Sequence, residues 1–356
     1  MSDPAVTPRA EPGRSASPEP LELGDYVPRI DLPNPATRRV VSLMNQAIAG
    51  GLIVLVCPAE GASLDPWVHA IEALNGLGGR LFVVTPTVIA LPAPLEGLID
   101  NTVVRRIFGL GGEGDGAIIL DSGGRFAARL TGEAANPATV LGECRQLHER
   151  TAPHVIAAQA PVIVLPSVIS AALRDRLLRY WQEGEKRAGT VARAGDRFSY
   201  DTSVKRREDV LITDDALMIE LMRAMRWCVA PAMQRAFNFE VAQAEAFRIG
   251  CYPAGEGYFR RHRDNSNANT NHRLYAISIN LNEDYVGGEV VFPEYGRMRY
   301  RPPACGAVIF SSSLLHEALD VTQGRRFGTF SFFSDKAGAA RVAERLARER
   351  SPHDKV

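Results

Sequence analysis

The chain holds seven histidines, few enough to weigh one by one. His262-Arg263-Asp264 is the pattern with chemical content. In an extended segment residues i and i+2 face the same side, so one imidazole and one carboxylate converge on a single point. Joined by a second imidazole, such a pair makes a facial donor set that leaves coordination positions open, as ferrous iron requires when it must also take a cosubstrate and O₂. His316 is the best second imidazole. It follows the apolar run Gly306-Ala-Val-Ile-Phe310 and the link Ser311 to Leu315, where a strand would return to the same place. His272 would be a ligand only if His262 is not. The Asn-rich stretch before it, 265–271, reads as a lid or substrate edge. His69, His148, His154 and His353 stand without acidic or thiol partners and read as surface or linker residues. Ten residues after His316 comes Arg326, at the head of an apolar strand. A planar, permanently charged guanidinium there suits a buried carboxylate; Arg325 is the alternative if the connection is one residue shorter.

These residues need a scaffold with many short strands. From Ala244 the apolar period is two, with strands expected at 244–252, 274–281, 289–292, 297–300, 307–310 and 326–333. Turn material separates them, and the spacing points to a double-stranded β-helix or jelly roll whose mouth can hold a metal. Gly287-Gly288 marks a turn with close backbone approach. Upstream, Pro161–Leu165 reads as a strand and Ser167 as the cap of a helix from Val168 to about Trp181. Residues 214–237 carry Leu217, Ile219, Leu221, Met222, Met225, Val229 and Met233 at helical spacing, a core-facing stripe. The tail from about 335 reads as a surface helix.

The first half follows a different pattern. With 356 residues, two domains are the default. Residues 1–20, rich in Pro, Ser and charge, are expected to be disordered. Strands are expected at 51–57 and 81–85 with a helix over 66–77 between them. A hairpin over 117–129 with a Ser-Gly-Gly turn follows. Strand–helix–strand then hairpin is the order of a thioredoxin-like fold, so the fold class is an α/β thioredoxin-like domain (21–150) followed by a jelly-roll domain (160–335) and a helical tail (336–356). Lys plus Arg equals Asp plus Glu at 41 each, which leaves no electrostatic footprint for nucleic acid or an anionic membrane. No apolar run is long enough to span a bilayer, and the N-terminus lacks a signal-peptide core. Five scattered cysteines without a CxxC read as small core residues in a reducing, cytoplasmic protein.

Residues 250–333 resemble the catalytic domain of 2-oxoglutarate/Fe(II) oxygenases of the prolyl 4-hydroxylase type. The resemblance rests on Tyr252-Pro-Ala-Gly-Glu-Gly-Tyr258-Phe-Arg-Arg-His-Arg-Asp264, Ile279-Asn-Leu-Asn282, Gly287-Gly-Glu-Val-Val-Phe-Pro293 and Leu315-His-Glu-Ala-Leu-Asp-Val-Thr-Gln-Gly-Arg-Arg326. It extends more weakly back to Pro161, through Lys205-Arg-Arg-Glu-Asp-Val210. It implies His262, Asp264 and His316 as ligands of Fe(II), and Arg326 on the distal carboxylate of 2-oxoglutarate. Tyr252 would contact the same cosubstrate, with Tyr258 as its rival, and Asn280 is a further contact. O₂ is the co-reactant and ascorbate the expected reductant, while the substrate, a prolyl residue of a protein or peptide or a small metabolite, stays open.

The N-terminal half resembles peroxiredoxins, through Gly24-Asp-Tyr-Val-Pro-Arg-Ile-Asp-Leu32, the 51–57 strand and the 117–129 hairpin. The position of their reactive cysteine falls at about Asp65, so this domain is expected to lack peroxidase activity and to serve binding, docking or homodimerisation. Two rival readings stand beside these. One is a redoxin-fold redox or scaffold protein acting through Cys57, and the other is a cupin-like metal-binding module that does not use 2-oxoglutarate.

Overall fold

A computed structural model describes residues 20–43, 51–100, 102–112, 114–151, 155–156, 158–189, 191–192, 198–199 and 201–350. The expected disorder of 1–20 falls almost wholly outside these residues, as do His154 and His353.

In the first unit, β1 (Ile53–Cys57) is wholly buried and central. It runs parallel to β2 (Arg80–Thr85), which runs parallel to β3 (Glu96–Ile99). On its other side β1 pairs antiparallel with β4 (Gly116–Leu120), and β4 with β5 (Phe126–Thr131). Alternate residues of β1 serve two cores. Ile53, Leu55 and Cys57 pack with Phe82, Phe108 and Phe126 on one face. Val54 and Val56 pack on the other against Trp67 and Leu74 of α1 (Asp65–Gly76) and Cys144 of α2 (Pro137–Arg150). A strand buried on both faces must be apolar throughout, which is why 53–57 reads as a continuous apolar run. Asp65, at the head of α1, is exposed.

The second unit is built on two antiparallel sheets. The larger runs β6 (Val162–Leu165), β15 (Ala307–Ser311), β12 (Tyr275–Asn280), β17 (Val321–Ser334), β10 (Arg248–Pro253), β9 (Glu208–Leu211) and β7 (Arg187–Ala188). The smaller runs β8 (Lys205–Arg206), β11 (Tyr258–His262), β16 (His316–Ala318), β13 (Val290–Val291) and β14 (Arg299–Tyr300). One parity of the large sheet (Ile249, Cys251, Ile277, Ile279, Ile309) packs outward on α3 (Ala171–Glu183), α4 (Asp215–Ala224) and α5 (Ala230–Phe237). The opposite parity (Arg248, Tyr252, Ala276, Ser278, Phe310, Arg326, Phe330) faces the space between the sheets. The Gly pair behaves as its sequence suggested. A Cβ on Gly287 would stand 2.1 Å from the Asp320 carbonyl, and one on Gly288 3.0 Å from Cδ of Arg326.

Three expectations need correcting. The cap of α3 is Ser170, whose hydroxyl accepts from Leu173 N–H at 3.2 Å. Ser167 instead donates to the Leu23 carbonyl, and the N–H groups of Val168 and Ile169 bind the Cys305 carbonyl, so the barrel holds this stretch out of the helix. The 214–237 helix is interrupted by a π-helical turn at Met225–Val229. Ile219 and Met222 of its stripe are exposed, while Leu217, Leu221, Met225, Val229 and Met233 are buried.

The two units meet through residues 23–26. Asp25 accepts from Arg223 at 2.8 Å, the Tyr26 N–H donates to Trp227 O, and Arg235 stacks 3.8 Å from the Tyr26 ring. Within the second unit Glu245 binds Arg273 (2.6 and 2.8 Å) and His272 (2.9 Å). Burial pushes the Glu245 carboxyl up, but these partners pull it down further, to about 2. A carboxylate depressed on folding contributes stability above its unfolded pKa that is lost as pH falls through its folded one. Glu245→Gln is therefore expected to cost about 2 kcal/mol at neutral pH. The gap to wild type should close as pH falls from about 4.5 towards 2, as read by chemical denaturation at several pH values.

Candidate metal centre

β11 and β16 are neighbours in the small sheet, and their register sets His262 directly opposite His316. A register shift between Phe259 and His262 re-aims the end of β11, a usual consequence of an extra residue in one strand of a pair. Asp264 lies just past β11, its N–H donating to Ser312 O at 2.9 Å. One potential ligand atom from each of His262, Asp264 and His316 lies within 4.8 Å of the others. Aromatic rings fix both imidazoles. Phe259 stacks on His262 at 3.5 Å between centroids, and Phe310 lies 4.6 Å from His316.

Proton placement decides what this cluster can hold. His262 Nδ1 lies 2.7 Å from Arg260 O and His316 Nδ1 3.0 Å from Leu314 O. A carbonyl only accepts, so each Nδ1 carries the proton and each Nε2 turns a lone pair inward. Burial presses His316 down to about 4, keeping it neutral. Asp264 oxygens stand 3.3 Å from His262 Nε2 and 3.4 Å from His316 Nε2. These are contacts between acceptors rather than hydrogen bonds, and His262 Nε2 is buried without a hydrogen-bond partner. Two lone pairs and a carboxylate directed at one point fit a divalent cation.

The cluster opens into a cavity of about 850 Å³ between the sheets. Arg326, 3% exposed, lies on its wall and donates to Ser278 Oγ at 3.2 Å. Arg325 is exposed. Opposite Arg326 in the sheet is Tyr252, also buried and on the wall. The Tyr258 hydroxyl turns away to donate to Thr202 O. Asn280 does not line the cavity. Its Nδ2 donates to Asn282 O and Pro302 O and its Oδ1 accepts from Tyr285, so its polar atoms are taken up within the fold; Ser278, one step along the same face, meets Arg326 instead. His272 is engaged by Glu245, away from the cluster. His69 and His148 are exposed.

A second group, Lys205, Arg207 and Arg248, also lies on the wall, and none of the three stands in a metal-ligand or carboxylate-binding pattern in the sequence. Arg207 makes a two-point contact with Asp209 (2.5 and 2.8 Å), lies over Phe330 and donates to the Tyr252 hydroxyl at 3.2 Å. Gly250 makes room for it, since a Cβ there would stand 2.7 Å from Arg207 Cδ. Burial and Arg207 together lower Lys205 to about 7, against Asp209. The readable signal was parity: Arg248, Gly250 and Tyr252 share one face of a strand. The thiol alternative finds no support in position. Cys57 is buried and burial pushes it up to about 12. The five cysteines are all free and buried.

Residues 247–334, which include all three donors and Arg326, match the model of the 2OG-Fe(II) oxygenase superfamily. A PKHD-type hydroxylase of Synechococcus sp. (strain JA-2-3B'a(2-13)) is 27% identical over 121 residues, 31% of this chain and 54% of that protein. The PKHD-type hydroxylase PiuC of Pseudomonas aeruginosa is 26% identical over 165 residues, 42% of this chain and 66% of that protein. The chain thus spans about half to two thirds of the length of these relatives. Among solved structures, a prolyl hydroxylase from Trichoplax adhaerens, in complex with a hypoxia inducible factor oxygen degradation domain peptide fragment, is similar at a TM-score of 0.43 and 17% identity, covering 51% of this chain and 87% of that one. A Pseudomonas putida prolyl-4-hydroxylase is similar at 0.41 and 17%, covering 50% and 94%.

Asp264→Ala is expected to weaken Co(II) binding more than about 100-fold, beyond what loss of an outer-shell partner costs. The d–d absorption of Co(II) titrated into the full chain reads this, with the circular dichroism spectrum unchanged. The likeness to the 2OG-Fe(II) oxygenase superfamily thus falls on the stretch, residues 247–334, that holds all three donors.

Proposed function

We propose that the protein is an Fe(II)- and 2-oxoglutarate-dependent hydroxylase. The observation that carries this reading is the convergence of three proton-free acceptors, His262, Asp264 and His316, on a cavity whose wall holds the buried Arg326. Bound iron(II), with 2-oxoglutarate and O₂, supplies the oxidising chemistry that turns a substrate C–H into C–OH while the oxo acid becomes succinate and CO₂.

The chain's own residues bind and orient. His262 and His316 present their Nε2 atoms, each ring fixed by its Nδ1–carbonyl contact. Arg326 takes the distal carboxylate of the oxo acid, backed by Ser278 and the Tyr252 ring. Tyr252 is itself oriented by Arg207. Phe310, Phe330 and Ala276 give the cavity apolar wall that limits water around the reacting centre. No side chain need act as a general base. The substrate is a prolyl residue of a protein or peptide, or a small metabolite.

Residues 21–150 we read as a thioredoxin-like unit without peroxidase activity, acting in docking. The parallel β1–β2 pair flanked by the β4–β5 hairpin, and an exposed Asp65 where a reactive thiol would stand, support that reading.

Succinate formation with Fe(II), ascorbate and 2-oxoglutarate tests the proposal, with mass spectrometry for one added oxygen in candidate substrates. Arg326→Ala is expected to raise the KM for 2-oxoglutarate about 30-fold or more, the cost of unpairing a buried charge. Arg325→Ala, on the exposed side of the same strand, should change it less than about twofold. Equal effects of the two would remove Arg326 from its role.

A further inference from the structure

The cavity wall carries more positive charge than one dicarboxylic cosubstrate can answer. Lys205, Arg207, Arg248, Arg263, Arg273 and Arg326 all line it, against the carboxylates of Asp201 and Asp264. Most of these cations are answered from behind the wall. Arg207 holds both oxygens of Asp209, Lys205 lies 3.8 Å from Asp209, Arg273 holds both oxygens of Glu245, and Arg263 holds both of Glu294. Arg326 and Arg248 differ. Among the described residues neither forms an ion pair, and the Arg248 side chain has no hydrogen-bond partner either.

Arg248 is placed for a ligand. It stands on the inner face of β10, opposite Phe330, whereas Tyr252 on the same face stands opposite Arg326. Four residues of extended strand separate the two positions, a rise of ~13 Å. Arg326 lies at the Tyr252 end, and Arg248 at the end towards Glu245, Arg273 and Ser331. The acids nearest Arg248 are already committed, Asp209 to Arg207 and Glu245 to Arg273 and His272. Burial, with repulsion from Arg207, makes the Arg248 cation harder to hold than an ordinary arginine. A half-buried guanidinium without a counter-ion costs free energy that an arriving anion recovers.

We infer that Arg248 is a specificity-determining residue that receives a carboxylate of the substrate, so that the molecule oxidised is a carboxylate-bearing one held between Arg248 and the metal cluster. The inference rests on the hydroxylase reading above, with Arg326 reserved for the oxo acid. The planar fork of a guanidinium matches both oxygens of one carboxylate. Two sources present that group, the α-carboxylate of a free amino acid or an acidic side chain within a peptide.

The test is a binding measurement on the full chain loaded with Mn(II) and saturating 2-oxoglutarate, without turnover. One arm titrates free amino acids, each beside its carboxamide, and follows the rise in the thermal midpoint. The other titrates N-acetylated, C-amidated peptides that differ only in Glu against Gln or Asp against Asn. Wild type should bind acid over amide by about tenfold or more in one arm, which identifies the source. Arg248→Gln should reduce that preference to within about twofold, and Arg248→Lys should restore part of it. The affinity for 2-oxoglutarate, measured in the same samples, should stay within about twofold of wild type and also reports that the variants are folded. No acid preference in either arm, or a preference that survives Arg248→Gln, overturns the inference. Failure of wild type to bind 2-oxoglutarate at all would instead overturn the hydroxylase reading on which it stands.

Discussion

The site depends on one cross-strand pairing, His262 against His316 at the junction of β11 and β16. Directly opposed residues of an antiparallel pair are the closest side chains that two strands can offer. Here the register shift in β11 turns its end so that Asp264 joins them. Each ring is locked by a backbone carbonyl on one nitrogen and by an aromatic face, so the second nitrogen has no freedom to find another partner. Such a group of acceptors repels itself until a cation arrives, and the rest of the barrel must hold it together meanwhile.

That support comes from the large sheet. Its outward parity is bound to three helices through Ile249, Ile277, Ile279 and Ile309, which leaves its inward parity free to be polar. Arg207, Arg248 and Arg326 therefore enter the barrel on strands anchored from behind rather than from within. The cost of placing cations there is lowered by pairing, as Asp209 does for Arg207, and by small residues that admit the long side chains. Gly250 clears Arg207 and Gly288 clears the stem of Arg326. Substituting either glycine would act on the cavity without touching a charged group.

What could be read from the sequence followed from local periodicity. The i, i+2 rule brought His262 and Asp264 to one point, and the return of an apolar strand brought His316 to them. The continuous apolar run at 53–57 pointed to a strand buried on both faces. Features set by cross-strand geometry were harder. Asn280 has the inward parity expected of a cosubstrate contact, but its polar atoms close onto Asn282, Pro302 and Tyr285. Ser167 had the composition of a helix cap, yet Ser170 is the cap because Cys305 holds the intervening backbone. Arg248 lay in plain view four residues before Tyr252, but its lack of a partner depends on how Asp209 and Glu245 are spent elsewhere. Strands of two residues, such as β7 and β8, carry too little periodicity to be read at all.

In the proposed hydroxylase the His262, Asp264 and His316 cluster and Arg326 would act together, a metal at the cluster holding one end of 2-oxoglutarate and the guanidinium the other. Anaerobic equilibrium dialysis of labelled 2-oxoglutarate against the full chain, with and without Fe(II), tests it most directly. About one equivalent should bind per chain, and only when metal is present. Binding should fall about 30-fold or more in Arg326→Ala and lose its metal dependence in His316→Ala. Binding that is indifferent to metal in the wild type, or no binding at all, would contradict it.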